Sequence, residues 1–127
     1  MSTLKTSNIQ DTSGTNNSTP EEISQGRAKA WITFNGTGTV ANRDKFNIDT
    51  ITDNGTGDFS VAITNNMSIA NYLKQVSHDD VLYGGMSYFH GDGSTAGSYR
   101  IMARVGHTTL PATYDNDMYA MTIGDLA

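Results

Sequence analysis

Two short stretches hold residue types that could do chemistry: His78-Asp79-Asp80 and His90-Gly91-Asp92-Gly93. Imidazole and carboxylate groups on adjacent loops can converge on a metal ion. Neither stretch carries a His-x-His or His-x-x-x-His pair, so no coordination geometry is fixed by spacing and both read as polar loop tips. A Ser-His-Asp set can be drawn from any chain with three histidines and this many serines, and no serine here sits in a nucleophile elbow. Glycoside cleavage needs two carboxyl groups in contrasting environments. Asp44, Asp49, Asp58, Asp79, Asp80, Asp92, Asp115 and Asp117 mostly fall in predicted turns, and the glutamates are confined to positions 21 and 22. The absence of cysteine removes disulfides, thiolate zinc sites and thiol nucleophiles together. The residues therefore point away from an enzyme and from any cofactor.

A different chemistry is raised by Asn-Gly-Thr-Gly, which occurs twice, at 35–38 and 54–57. A phosphate cradle needs a helix N-terminus after its glycines, usually with a lysine, whereas here a strand pattern follows. Asp53-Asn54-Gly55-Thr56-Gly57-Asp58 lies between two alternating runs, the setting of a hairpin turn, and Asn35-Gly36-Thr37-Gly38-Thr39 closes the run before it. Both quartets also match the N-glycosylation sequon, but Met1-Ser2-Thr3-Leu4-Lys5 begins no apolar signal stretch, so the expectation is a chain made in a cytosol.

The elements that must position these residues follow a period of two from Arg27 onward. Ala28, Ala30, Ile32 and Phe34 fall on one strand face, with Lys29, Trp31 and Thr33 on the other. Further strands are predicted over Phe46–Thr52, Phe59–Thr64, around Tyr72–Val76, around Leu82–Phe89, over Tyr99–Val105 and over Met118–Ile123. About seven short strands at roughly ten-residue spacing, parted by Gly, Asn, Asp and Thr, predict an all-β fold: an antiparallel β-sandwich, jelly-roll-like, over residues 27–127. A chain of 127 residues has room for one such domain.

Residues 1–26 differ in composition. Leu4, Ile9 and Ile23 are the large aliphatic side chains in a segment dominated by Ser, Thr and Asn, which cannot fold alone. Thr19-Pro20-Glu21-Glu22 predicts a helix of a turn or two. The segment reads as an arm ordered against a neighbouring chain or a larger assembly. A hydrophobic content of 36% and mean hydropathy of -0.43 leave a thin core, so burial against partners is expected. The net charge of -5, with scattered Lys and Arg, argues against nucleic acid as a partner, and no apolar run suits membrane insertion. Tyr83, Tyr88, Phe89, Tyr99, Tyr114 and Tyr119, with Met86, Met102, Met118 and Met121, crowd the C-terminal half together with the Gly/Ser-rich stretch His90–Ser98. They predict a core plus a second buried surface between subunits, or an aromatic loop set for carbohydrate.

The wording of the first half carries a resemblance. Met1-Ser2-Thr3-Leu4-Lys5, Ile9-Gln10-Asp11-Thr12-Ser13-Gly14, Thr19-Pro20-Glu21-Glu22-Ile23 and Gly26-Arg27-Ala28-Lys29-Ala30-Trp31 resemble the start of small tail-fibre and virion structural proteins of tailed bacteriophages, marine ones in particular. The likeness continues through Phe34–Val40, Arg43-Asp44, Phe46-Asn47 and Ile51–Phe59, and ends near Met67. It implies a short fibre or capsid-decoration protein on the virion surface, a homotrimer made in the bacterial cytoplasm. Its arm, through Leu4, Ile9 and Ile23, would attach to capsid or tail proteins. In such a fibre the second half would carry any contact with a host-surface glycan, with Tyr83, Tyr88, His90, Asp92 and Tyr114 as the candidate residues.

Overall fold

The computed structural model describes residues 1–15, 17–79, 85–105 and 115–127, with 85–93, 104 and 105 described as backbone. After one helix, α1 (Pro20–Gly26), come eight strands: β1 (Ala28–Asn35), β2 (Ala41–Phe46), β3 (Ile48–Gly55), β4 (Asp58–Ile63), β5 (Leu73–His78), β6 (Gly85–Thr95), β7 (Ser98–Val105) and β8 (Asp117–Ile123). They form two four-stranded antiparallel sheets, ordered β2-β1-β8-β5 and β3-β4-β7-β6, so the all-β sandwich expected from the period of two is present. Three connections, β1–β2, β3–β4 and β6–β7, are hairpins within a sheet, and the other four cross between sheets. That order departs from a jelly roll, whose successive strands mostly alternate between the two sheets.

The core lies where the inner faces meet. Ala30, Ile32 and Phe34 of β1 and Met118, Ala120 and Thr122 of β8 face Phe59, Val61 and Ile63 of β4 and Tyr99, Ile101 and Ala103 of β7, all buried. Phe34 meets Phe59 edge to face, ring centroids 5.1 Å apart and planes at 72°, which joins the sheets. Thr122 is the polar member of this set, and its hydroxyl donates to the Ala30 carbonyl at 3.5 Å. Burial of Tyr72 and Tyr99, whose rings also meet edge to face, raises both phenol pKa values, that of Tyr72 to about 12.

The strand count is one more than the sequence predicts, for a definite reason. Phe46 and Ile48 were expected on one strand, but Asn47 sits between them at φ 54° and the chain crosses there from the first sheet to the second. Its side-chain amide donates to the carbonyls of Lys29 (2.9 Å) and Asn65 (3.1 Å), and its Oδ1 accepts from the Asn65 N–H (2.8 Å). Asn tolerates the left-handed region better than other non-glycine residues. β2 has the sequence ANRDKF with every residue exposed, so no apolar alternation announces it; its charges guard an edge strand.

Both Asn-Gly-Thr-Gly quartets turn corners, in different ways. At the second, Thr56-Gly57 links the paired residues Gly55 and Asp58, and positive φ falls on Gly55 (132°) and Gly57 (65°) rather than on Asn54. At the first, Gly38 takes the positive φ (68°), whereas Gly36 is a site of close approach. A Cβ on Gly36 would stand 2.4 Å from the Asn116 carbonyl oxygen and 2.8 Å from Cζ of Phe59.

The N-terminal segment has no buried residue among those described from 1 to 27. α1 begins in the predicted way: the Thr19 hydroxyl accepts from the Glu22 N–H (3.2 Å), while Glu22 Oε2 accepts from the Thr19 N–H (2.7 Å), a reciprocal cap with Pro20 next in line. The Thr19 N–H and, at 3.1 Å, the Thr19 hydroxyl both donate to Glu22 Oε2 and hold its carboxyl below the ordinary pKa. Ahead of it, Ile9 and Ser18 exchange backbone hydrogen bonds at 2.8 Å, and Asp11 ties the intervening turn through Ser13 and Thr15. A bond from Lys29 Nζ to Ser24 Oγ (2.9 Å) links α1 to β1.

Candidate functional site

Of the residues singled out in the C-terminal half, Tyr83 and Tyr114 lie outside the described residues. Tyr88, His90 and Asp92 lie on β6, whose backbone runs to Thr95 before a tight turn at Ala96-Gly97. The long Gly/Ser loop expected from His90 to Ser98 is thus the end of a strand and a tight turn, with the register against β7 shifting between His90 and Thr95. Tyr88 stands opposite Met102 and His90 opposite Arg100 in that register, and their side chains fall outside the description. Leu4 (84%), Ile9 (51%) and Ile23 (41%) are exposed and are not brought together.

Several acids act as fasteners of turns. Asp58 is buried at the β3–β4 corner, where Oδ1 accepts from Arg100 Nε at 2.6 Å and Oδ2 from Arg100 Nη2, a bidentate pair. Asn54 donates to Ser60 Oγ (2.7 Å) beside it, Asp53 accepts the Gly55 N–H (2.9 Å) and Asp115 the Gly57 N–H (2.8 Å). Arg43 reaches from β2 to Asp117 of β8 at 2.6 Å. Among the described residues no group of three or more His, Asp or Glu side chains could hold a metal ion, and no helix is long and apolar enough to cross a membrane.

The surface feature that stands out is the outer face of the first sheet. Alternation turns Trp31 and Thr33 of β1 and Tyr119 and Met121 of β8 away from the core, and register aligns them in rows across the strands. One row runs Phe46, Trp31, Met121, Gln75; the next runs Asp44, Thr33, Tyr119, Ser77. Hollows flank Trp31 on both sides. One, of about 410 Å³, is lined by Arg27, Ala28, Lys29, Trp31, Phe46 and Leu126, near the end of α1. The other, of about 260 Å³, is lined by Trp31, Thr33, Gln75, Ser77, Tyr119 and Met121, with Ile32 and Ala120 at its floor. A third, of about 290 Å³, lies beside Gln25, Ile69, Leu73 and Ile123.

The two ends of the face differ in charge. Near α1, Phe46 (54%), Leu73 (63%) and Ile69 (60%) are exposed together with Leu126, beside the cations Arg27 and Lys29. Farther along β1 the 260 Å³ groove sets the hydroxyls of Thr33 and Ser77 and the amide of Gln75 around Trp31, Tyr119 and Met121, with no charged side chain among the described residues. Lys74, on the inward side of β5, packs over the Tyr72 ring at 4.2 Å; burial lowers its pKa. Sequence reasoning placed Trp31 opposite the core but did not assemble this face. Its signal was present in two separate alternating runs, 28–34 and 118–123, and only the pairing of β1 with β8 joins them. Compared with protein-family models, curated proteins and solved structures, the chain matches none of them.

Proposed function

We propose that this chain is a non-enzymatic structural protein of a bacteriophage virion, a short fibre or capsid-decoration homotrimer carried on the particle surface by its N-terminal arm. The observation that carries this reading is the apolar end of the first sheet's outer face. Phe46, Leu73, Ile69 and Leu126 stay exposed beside the root of a segment that itself exposes Leu4, Ile9 and Ile23. Large apolar side chains left exposed at one end of a sheet suit contact with another protein. The arm offers apolar side chains on a chain with little stability of its own, so it gains order only against a neighbour or against capsid or tail proteins. The resemblance of the first half to virion proteins supports the same reading.

The test is a full-length variant carrying Leu4→Asp, Ile9→Asp and Ile23→Asp, incubated with particles lacking the native protein. Loss of particle binding with an unchanged urea midpoint is expected. Undiminished binding sinks the arm's role, and a monomeric mass both in solution and on the particle sinks the trimer.

A second reading, an adhesin for a host-surface glycan, has one observation in its favour. The groove beside Trp31 combines aromatic bodies with hydroxyl and amide groups, the chemistry that holds sugar rings. Of the residues first considered for this role, Tyr83 and Tyr114 lie outside the described residues, and Tyr88, His90 and Asp92 are described only as backbone of β6, in the other sheet.

A further inference from the structure

We infer that the groove between Trp31 and Tyr119, on the outer face of the first sheet, is a subsite for neutral carbohydrate. The inference deepens the adhesin reading and is independent of where the protein resides. Trp31 and Tyr119 lie on the adjacent strands β1 and β8, one pair apart in register, so their side chains are diagonal neighbours on one face. Thr33 and Ser77 flank Tyr119 in its own row, and Gln75 closes the Trp31 row on β5. The groove of about 260 Å³ thus has two aromatic bodies, to take the C–H faces of a pyranose ring, and three hydrogen-bonding side chains, Thr33, Gln75 and Ser77, to meet its hydroxyl edges. Gln75 Nε2 donates to the Val76 carbonyl at 3.3 Å; a primary amide has a second N–H and a carbonyl with which to meet a ligand.

The lining also discriminates between ligand classes. Among the described residues no charged side chain lines the groove; the charge next to it in register is the Asp44 carboxylate beyond Thr33, and Arg43, on the same strand β2, is paired with Asp117 at 2.6 Å. An anionic sugar or a nucleotide would lose its hydration there without gaining a cation.

Trp31 is the single tryptophan, so its fluorescence reports on this groove directly. The full chain is titrated with cellohexaose, chitohexaose and a galacto-oligosaccharide, with calorimetry in parallel. The expected result is a saturable change in Trp31 emission for at least one of them, with a Kd of about 0.1–1 mM. Tyr119→Ala and Gln75→Ala should weaken that binding by about tenfold and about threefold respectively, and Tyr119→Phe should retain most of it. Urea midpoints of the three variants, read alongside, separate loss of the groove from loss of the fold. Three results overturn the inference. One is no change with any of the three sugars at about 10 mM. Another is calorimetric binding that leaves Trp31 emission and the Tyr119→Ala variant unaffected, which puts the glycan elsewhere and spares the adhesin reading. The last is Trp31 emission that follows protein concentration and ignores sugar, which makes the groove a contact between copies.

Discussion

Replacing Gly36 by alanine tests the reasoning about the two quartets most sharply. Gly36 is buried, its N–H donates to the Asn116 carbonyl at 3.0 Å, and an added Cβ would stand 2.4 Å from that same oxygen. A backbone oxygen cannot swing aside as a side-chain tip does. The other close atom, Phe59 Cζ at 2.8 Å, belongs to a fully buried ring packed edge to face on Phe34. Overpacking of this kind costs about 1–3 kcal/mol, and weakening the hydrogen bond adds about 1 kcal/mol, so Gly36→Ala should destabilise by roughly 2–4 kcal/mol. Gly38→Ala, two residues on, is the control. Its Cβ would meet open space, and its cost is the left-handed φ of 68°, about 1–2 kcal/mol, partly offset by the stiffer unfolded chain. Urea unfolding followed by Trp31 fluorescence measures both, and with a slope of about 1–3 kcal/mol/M the Gly36 midpoint should fall by roughly 1–2 M and the Gly38 midpoint by less than about 1 M. Equal shifts, or a larger one for Gly38→Ala, would refute the assignment of Gly36 to close packing.

Other perturbations follow from the same geometry. Arg100→Met leaves the Asp58 carboxylate buried without its guanidinium; because the Arg100 side chain is 35% exposed, about 2 kcal/mol is expected by urea titration rather than the full cost of breaking a deeply buried pair. Asn47→Ala should cost more than Asn47→Gly by the same assay: both lose the bonds to Lys29 and Asn65, but only alanine also strains at φ 54°. Burial raises the Tyr72 pKa from 10 to about 12 and raises that of Tyr99 too, so the folded form favours the neutral phenols. Stability should hold below pH 10 and fall as the pH rises from 10 towards 12; Tyr72→Phe should flatten part of that fall, by up to roughly 2 kcal/mol, in urea midpoints measured across that range. Thr19→Ala should speed amide exchange at Glu22 and Ile23 yet leave the global urea midpoint in place, because α1 buries no residue.

Much of the fold was legible because four strands have faces of contrasting character. β1, β4, β7 and β8 supply the core, and β1 from Ala30 to Phe34 and β4 from Phe59 to Ile63 turn inward the residues that the period of two assigned; at Ala28–Ala30 a register shift buries Lys29, which was expected on the outer face. The cap of α1 was equally plain, since Thr-Pro-Glu-Glu carries its own hydrogen-bonding logic. β2 was hidden because an exposed edge strand has no buried face to declare, and its separation from β3 depends on Asn47 reaching partners 18 residues away on either side. The C-terminal part of β6 looked like loop because Gly91, Asp92 and Gly93 are poor strand formers, and the register between β6 and β7 shifts across them. The groove beside Trp31 shares that difficulty. Each strand announced which residues face outward, but not which of those residues stand beside one another.

The place where the N-terminal segment joins the sandwich has a mechanical consequence. Residues 1–26 lead directly into β1, an interior strand with β2 along one side and β8 along the other. Antiparallel ladder bonds run perpendicular to the strands, so tension applied through the segment along β1 meets both ladders in shear, with many bonds strained at once. Tension on an edge strand would open its bonds one after another. The same end of the sandwich holds the chain's last residues, where Leu126 bridges to Met67 and the Ala127 N–H donates to the Asn66 carbonyl at 2.9 Å. A tether through the N-terminal segment thus pulls on the middle of a sheet, and leaves the far end, with its hairpin corners, facing outward.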